Sequence, residues 1–280
     1  MSDHPVRFGL YLPPFGPFGD PSVLVELAVR AEAAGWDGVF LWDHVVAGGG
    51  LPLADPWVSL GAMAQATQRV RLGTMVTPLP RRRPWVVARH AAALSRLSGG
   101  RFILGVGLGS DESGDFSRFG EAGQPAVRAA MLDEGLEVLR AVWAGRAQQL
   151  SGTYYQVDLD ESVPEPFPIP IWVASSTGSG RVARRAAGCD GLFPNPEGRW
   201  LDAEGVAEAL GAVRTAGLPA DRPFDVAVPG NASHAWPEQQ PPVDFTALAE
   251  AGMTWWMESL IHFDTLELSM RIVDAGPPQA

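Results

Sequence analysis

The feature that most constrains the fold is an alternation of short apolar runs with longer amphipathic runs, repeated eight times along the chain. The short runs are rich in β-branched and aromatic residues and predict strands over residues 6–12, 38–42, 70–76, 102–106, 171–174, 191–193, 224–228 and 253–258. The longer runs predict helices over residues 21–34, 55–66, 84–97, 125–143, 179–187, 202–215, 243–250 and 265–273. Apolar strands separated by helices are typical of a parallel sheet covered by those helices. Eight such units predict an α/β fold, a single (β/α)8 TIM barrel over residues 1–280.

Composition excludes several classes of function. The net charge of −11 argues against nucleic-acid or acidic-membrane partners. All 21 basic residues are arginines, and the absence of lysine excludes Schiff-base, pyridoxal-phosphate and P-loop chemistry. Cys189 is the sole cysteine, and the histidines show no metal-ligand spacing, so we expect no disulfide and no metal site. The sequence shows no secretory signal and no membrane-spanning run, which predicts a cytoplasmic protein.

In a barrel of this kind the loops that follow the strands meet at one rim, where catalytic groups are found. The run from Ser175 to Arg181 opens the helix after the fifth strand, and its backbone N–H groups can hold a phosphate. Its predicted cofactor-binding members are Ser175, Gly178, Ser179, Gly180 and Arg181. The alternative is an ordinary flexible loop with a serine cap.

Three further rim features carry open alternatives. Arg81, Arg82 and Arg83 form the only tight basic cluster, which either meets an acidic group or is simply solvated. Glu258 ends the eighth strand and either acts on substrate, as a ligand or an acid, or pairs with an arginine. The glycine-rich run at residues 105–109 lacks the third glycine of a dinucleotide-binding turn, because Ser110 stands there, so it indicates close backbone approach at the rim.

Four segments, in order and at similar spacing, resemble the luciferase-like monooxygenase family over nearly the whole chain. They are Trp42-Asp43-His44, the run 72–78 (LGTMVTP), the run 99–107 (GGRFILGVG) and Leu132-Asp133-Glu134. Members of this family use reduced FMN or the deazaflavin coenzyme F420. The resemblance therefore implies a luciferase-like barrel, one of these cofactors, a small-molecule substrate and a homodimer.

The resemblance also implies roles for individual residues. Cofactor binding is expected at Thr74, Met75, Val76 and Gly107, with a non-proline cis peptide near Met75-Val76. His44 is expected near the reactive ring as the catalytic group that exchanges a proton, since histidine titrates near neutral pH. The alternative for His44 is a rim histidine that packs against Trp42. Asp43, grouped with the cofactor-binding residues, is expected to orient the rim rather than react.

Other implications concern the substrate side of the site. The arginine cluster is a candidate partner for the polyglutamate tail of F420. Members that oxidise glucose 6-phosphate carry a glutamate after the turn that matches residues 105–109, and this chain has Ser110, Asp111 and Glu112 there. That departure argues against sugar-phosphate oxidation.

These observations predict an F420-dependent oxidoreductase that transfers a hydride between the deazaflavin and a small organic substrate. The alternatives are an FMNH2- and O2-dependent monooxygenase of the same fold, a non-catalytic flavin-binding paralogue and, more remotely, a glycosidase that would require paired rim carboxylates. The insert 145–170 is expected on the N-terminal face of the barrel, with Tyr154 and Tyr155 in structural roles.

Overall fold

Eight parallel strands close into a barrel in the computed structural model, which describes residues 6–145, 148–160, 168–175, 180–196, 200–233 and 243–278. The barrel strands are β1 (Arg7–Leu12), β2 (Gly38–Leu41), β3 (Arg71–Pro78), β4 (Phe102–Gly107), β7 (Ile171–Ser175), β8 (Gly191–Pro194), β9 (Asp225–Gly230) and β10 (Trp255–Ser259). Each pairs with the next in that order, and β10 pairs with β1 to close the ring. The predicted (β/α)8 barrel is thereby confirmed.

Eight α-helices surround the barrel in the described part of the chain. They are α1 (Pro21–Ala34), α2 (Pro56–Ala66), α3 (Pro84–Leu97), α4 (Pro125–Trp143), α5 (Gly180–Ala187), α6 (Ala203–Thr215), α7 (Phe245–Glu250) and α8 (Leu266–Ala275). The Asp-Pro pairs explain two of the starts: the carboxylates of Asp20 and Asp55 accept backbone N–H groups of the first turn, and the following proline needs no partner there. No helix in the described part of the chain is long and apolar enough to cross a bilayer.

Large side chains fill the inside of the barrel. The inward-facing cluster consists of Tyr11, Phe40, Met75, Ile103, Trp172, Phe193, Ala227, Trp255 and Met257. Phe40 stacks on Trp172 with ring centroids 5.5 Å apart, and it occupies the space that a Cβ at Gly38 or Gly73 would take. Strand glycines therefore make room for aromatic rings, and the lower barrel is a packed core rather than a pore.

The insert before β7 differs from the prediction of an irregular segment on the N-terminal face. Residues 148–159 form an antiparallel hairpin, β5 (Gln148–Ser151) with β6 (Gln156–Leu159). Its turn donates three backbone N–H groups to the carboxylate of Glu134 on α4. Tyr155 is buried and lies edge-on to Trp85, with ring centroids 6.2 Å apart. Because Trp85 belongs to the first turn of α3, the hairpin reaches the end of the barrel at which the strands finish.

Candidate active site at the carboxyl ends of the strands

His44 sits where the loops after β2 and β4 meet. Its Nδ1 lies 2.7 Å from Oδ2 of Asp115, a residue of the loop that follows β4. The other oxygen of Asp115 accepts the backbone N–H groups of Val45 and Val46 and a hydrogen bond of 2.9 Å from Arg81. The His44 side chain is one-quarter exposed, whereas that of Asp115 is 1% exposed. A buried carboxylate thus orients a histidine that remains accessible at the rim.

The carboxyl group of Asp115 is held in its charged form. Burial raises its pKa, but the hydrogen bonds from His44 and Val45 and the charges of His44 and Arg81 outweigh burial, and the net pKa lies below the ordinary value. Since an ionised carboxylate only accepts hydrogen bonds, Nδ1 of His44 carries the proton of this contact. Nε2 is then the ring nitrogen that this pair leaves available for another contact.

Because the pKa of Asp115 is lowered, we expect its contribution to the stability of the fold to depend on pH in the acid range. A carboxyl group whose folded pKa is depressed stabilises the fold above its unfolded pKa, about 3.9 for aspartate, and this contribution is lost as the pH falls through the folded pKa. We therefore expect Asp115→Asn to unfold at lower urea concentration than the wild type at pH 7, with the difference shrinking below about pH 4. If the urea midpoints of the wild type and of Asp115→Asn differ by as much at pH 3 as at pH 7, this assignment is wrong.

Asp43 lies beneath His44 as the centre of a second ion-pair cluster. Its Oδ1 accepts hydrogen bonds from Arg81 at 3.1 Å and Arg82 at 2.7 Å, and its Oδ2 accepts from Arg82 at 2.9 Å and from Trp57 Nε1 at 3.1 Å. The side chain has no exposed surface. Both oxygens of Asp43 are thus occupied by protein donors, and the cofactor-binding role expected for Asp43 stays a prediction.

The arginine cluster has a different role from either of its predicted alternatives. Arg81 is 6% exposed and joins Asp43 to Asp115, while Arg82 pairs with Asp43 and lies over the ring of Trp57. Only Arg83 is exposed. Two of the three charges are therefore neutralised inside the rim, so the cluster is neither three solvated cations nor three cations ready for an acidic tail.

Small and apolar residues form a floor above the packed barrel core. The side chains of Val76 and Ala174 pack onto the inward-facing cluster, and a Cβ on Gly107 would lie 2.7 Å from Val76 and 3.4 Å from Ala174. We call Val76, Gly107 and Ala174 the floor. The Met75-Val76 peptide bond is cis, as the family resemblance implies, and the β3–β4 register shifts between Thr74 and Thr77.

Of the other residues predicted on β3, two are inaccessible. Met75 belongs to the inward-facing cluster and is 1% exposed. Thr74 is fully buried, and its hydroxyl donates to the carbonyl of Gly105 at 3.1 Å. These two residues support the floor from below, and Val76 and Gly107 form it.

The floor has a polar group without a partner beside it. Nε1 of Trp42, whose ring packs onto the same inward-facing cluster as Val76 and Ala174, is buried and has no hydrogen-bond partner within the described ranges. Buried polar groups are normally hydrogen-bonded, so such atoms are expected to meet a bound ligand or water. A flat heterocycle with carbonyl and N–H groups at its edge offers partners of this kind, so the residues present fit a deazaflavin or flavin ring.

The predicted phosphate-binding run is described only in part. Gly178 and Ser179 lie outside the described residues, Ser175 ends β7, and Gly180 and Arg181 begin α5. The guanidinium of Arg181 is half-exposed and pairs with Asp133 of α4 at 3.0 Å. Asp133 also binds the buried Arg185 at 2.6 Å, so Asp133 fixes the start of α5 against α4.

Glu258 is placed for a structural role. Its side chain is fully buried, and its carboxylate accepts hydrogen bonds from Trp256 Nε1 at 2.7 Å and from the backbone N–H groups of Ala232 and Ser233 at about 3 Å. A catalytic carboxylate would need an oxygen free to contact the substrate. Both oxygens of Glu258 instead accept hydrogen bonds from protein groups, and these bonds hold the loop after β9. This geometry favours a structural role for Glu258 over a role on the substrate. Its partners are two backbone amides and an indole, not the arginine that one alternative predicted.

A substitution tests this role. We expect Glu258→Ala to lower the free energy of unfolding by about 2–4 kcal/mol, because it leaves a buried indole N–H and two loop amides without their charged acceptor. Glu258→Gln, which keeps one acceptor oxygen, should lose less. Urea denaturation measures both, and an unchanged unfolding midpoint for the alanine variant would refute the structural assignment.

The sequence interpretation missed Asp115 as a functional residue. It was expected somewhere on the rim, since it follows β4, but nothing in its immediate neighbours marks it as the partner of His44. The described residues contain no group of three histidine, cysteine, aspartate or glutamate side chains arranged to hold a metal ion.

Comparison with known proteins places this site in context. A family model described as luciferase-like monooxygenase matches residues 6–253. The F420-dependent glucose-6-phosphate dehydrogenase of Nakamurella multipartita is 40% identical over 195 residues, which cover 67% of this chain and 55% of that protein. The protein of the same name from Beutenbergia cavernae is 38% identical over 203 residues, covering 68% and 57%. The chain thus spans a little over half the length of these curated relatives.

Solved structures share the fold at lower identity. An F420-dependent secondary alcohol dehydrogenase in complex with an F420-acetone adduct superposes with a TM-score of 0.75 at 18% identity, covering 96% of this chain and 97% of the other. The coenzyme F420 dependent tetrahydromethanopterin reductase of Methanopyrus kandleri gives a TM-score of 0.71 at 18% identity, with the same coverage. At these identities the likeness establishes the barrel architecture.

Proposed function

Because the chain belongs to the luciferase-like monooxygenase family, we propose that it is an F420-dependent oxidoreductase that transfers a hydride between the deazaflavin and a small organic substrate. The observation that carries this proposal is the contact of 2.7 Å between His44 Nδ1 and the buried carboxylate of Asp115. It provides an accessible, oriented proton-exchanging group at the rim, next to a floor suited to a planar ring. The names of the relatives that match at 38–40% identity support F420 as the cofactor.

Different parts of the site would bind different parts of the cofactor. The floor (Val76, Gly107 and Ala174) would carry the cofactor ring, and the unpartnered Trp42 Nε1 would bind its polar edge. When bound, the deazaflavin supplies the two-electron hydride chemistry. Residues 175–181 remain our proposal for the phosphate, on the strength of the sequence alone, since residues 176–179 lie outside the described residues.

His44 acts on the substrate. As an alcohol is oxidised, its carbinol carbon loses a hydride and its hydroxyl loses a proton, and Nε2 of His44 takes that proton. Asp115 stabilises the imidazolium that forms, because its charge lies against Nδ1 and is itself fixed by Arg81. In the reverse direction the same nitrogen returns the proton to the carbonyl oxygen.

Separate titrations with F420 and FMN test the proposal. Saturable quenching of tryptophan fluorescence by F420, and not by FMN, is the expected result, since Trp42 borders the floor. Saturation by FMN alone would overturn the choice of cofactor and favour the monooxygenase alternative. Tight F420 binding without turnover on any alcohol, aldehyde or ketone would favour the non-catalytic paralogue.

We further propose that the protein is a cytoplasmic homodimer. The exposed apolar side chains of Val58 on α2 and Val86 and Leu97 on α3, with exposed fractions of 68%, 41% and 49%, support self-association through these neighbouring helices. Sedimentation equilibrium of the purified chain tests the dimer, and a monomer mass across the accessible concentration range would refute it.

A further inference from the structure

The loop that presents Asp115 to His44 has its two ends in contact. Gly109 opens it with a φ of +73°, in the left-handed region that favours glycine, and a Cβ there would lie 3.0 Å from the ring of Phe116. Phe116 directly follows Asp115 and is fully buried. We call residues 109–116 the β4 loop. The position of Asp115 therefore depends on what holds Gly109 and Phe116 together.

Arg128 contacts both ends of this loop. It is the fourth residue of α4, and its Nη1 donates a hydrogen bond of 2.8 Å to the carbonyl oxygen of Gly109. Its guanidinium carbon lies 4.6 Å from the ring centroid of Phe116, which is within the range of a cation–π contact. Arg81, which binds the carboxylate of Asp115, lies 5.8 Å from the same ring centroid. One guanidinium thus fixes the first and last residues of the β4 loop, and a second fixes its carboxylate.

The other hydrogen bonds of the β4 loop do not do this. One set joins the loop to itself and to the short turn that follows it, and a second set binds the carboxylate of Asp115. Arg128 is the one group from elsewhere in the described chain that hydrogen-bonds to the loop away from Asp115. Without it, the hydrogen bonds that tie the loop to the barrel would all end on the carboxylate that the loop has to deliver.

Stability alone does not account for the burial of Arg128. The residue is 6% exposed, its Nε is buried without a hydrogen-bond partner, and it forms no ion pair with a described residue. Burial lowers the pKa of its guanidinium, and the charge of Asp111 offsets this effect only in part. Burying a cation without a counter-ion costs free energy, and residues that break the rules of packing in this way are typical of functional sites.

We propose that Arg128 is a positioning residue for His44: it holds the β4 loop closed so that the carboxylate of Asp115 meets Nδ1 of the imidazole at 2.7 Å. Arg128 acts through Gly109 and Phe116 and has no hydrogen bond of its own to His44. Its effect on turnover rests on the proposed function, whereas its effect on the His44 ring does not. The two effects are therefore measured separately.

Nitrogen-15 NMR of the imidazole rings in the full chain, recorded without cofactor at a pH where the rings are neutral, tests the effect on His44. In the wild type Nδ1 should carry the proton, because it donates to an ionised carboxylate. In Arg128→Met, which keeps the apolar stem, the resonances should shift to those of a ring that exchanges between its two tautomers. Arg128→Lys should behave alike, since an ammonium lacks the planar fork that spans a carbonyl and an aromatic face.

Arg140→Met is the matched control for the NMR experiment. Arg140 lies in the last turn of the same helix and also donates to a backbone carbonyl, that of Gly188 at 2.9 Å. Its removal should leave the His44 resonances unchanged. The urea midpoint of Arg128→Met should stay close to that of the wild type, because the substitution removes a buried charge together with its contacts.

Reduction of F420 by a panel of small alcohols gives the second readout. Arg128→Met should lower kcat by about 10²-fold, the cost of a small misplacement of a catalytic group, with KM nearly unchanged. In the Asp115→Asn background the same substitution should cause no further loss, because both residues act through one contact.

Three results would overturn the inference: unchanged His44 resonances in Arg128→Met, additive losses of kcat in the double variant, or a lower urea midpoint with wild-type kcat. Weaker binding of F420 to Arg128→Met with unaltered resonances would also overturn it, since Arg128 would then bind the cofactor. Absence of turnover in the wild type, with the resonance shift present, would overturn the proposed function and leave the positioning of His44 in place.

Discussion

His44→Ala is expected to reduce kcat of the F420-dependent oxidation by about 10²–10⁴-fold, the usual contribution of a general acid–base group. The loss follows because Nε2 is the proposed proton acceptor, and the other groups that Asp115 binds, which are Arg81 and two backbone amides, cannot replace it. Affinity for F420 should stay close to that of the wild type, because the floor and Trp42 are untouched. Stopped-flow measurement of deazaflavin reduction together with fluorescence titration separates the two effects.

His90→Ala is the matched control for this experiment. His90 lies on the exposed side of α3 and packs against Trp57 with ring centroids 5.6 Å apart, away from the floor. Its removal should leave kcat unchanged, and added imidazole should restore part of the activity of His44→Ala only. Wild-type turnover in His44→Ala would remove this histidine from the mechanism.

Asp43→Ala should cost the most stability of any single rim substitution considered, about 3–5 kcal/mol, because it leaves two neighbouring guanidinium groups without the buried carboxylate between them. Arg81 is 6% exposed and Arg82 21% exposed, so water cannot fully replace the lost partner. Turnover should fall as well, since Arg81 also holds Asp115, and Asp115 orients His44. Urea unfolding and kcat measured on the same preparation test both parts.

An exposed ion pair supplies the control. Asp274 pairs with Arg30 between α8 and α1, and its side chain is 48% exposed. Asp274→Ala should therefore leave the urea unfolding midpoint nearly unchanged. Equal losses in Asp43→Ala and Asp274→Ala would show that burial of the Asp43 cluster contributes nothing to its strength.

The barrel could be predicted because its signals are local. Apolar strands and Asp-Pro helix starts repeat along the chain, and at the start of α1 the carboxylate of Asp20 caps the helix by accepting the N–H of Ser22. The hairpin at residues 148–159 was missed because its strands are polar and half-exposed, with a burial pattern that only alternates between intermediate and exposed. Its position depends on Glu134, which is distant in sequence.

The site shows the same division between local and tertiary information. His44 could be named from its place after a strand and from the family resemblance. Asp115 could not be paired with it, because the two are 71 residues apart and Asp115 lies in the irregular loop after β4. Three consecutive arginines suggested a solvated or ligand-binding cluster, and only the tertiary contacts with Asp43 and Asp115 revealed that two of them are internal counter-ions.

The most direct test of hydride transfer at this site is a single anaerobic turnover with F420 and a substrate that it oxidises, carrying deuterium at the carbon that loses the hydride. Mass spectrometry of the reduced deazaflavin should find the deuterium transferred in full, and His44→Ala should form the same labelled product more slowly. Reduced deazaflavin without deuterium, or product formation that requires O2 and reduced FMN, would contradict the account.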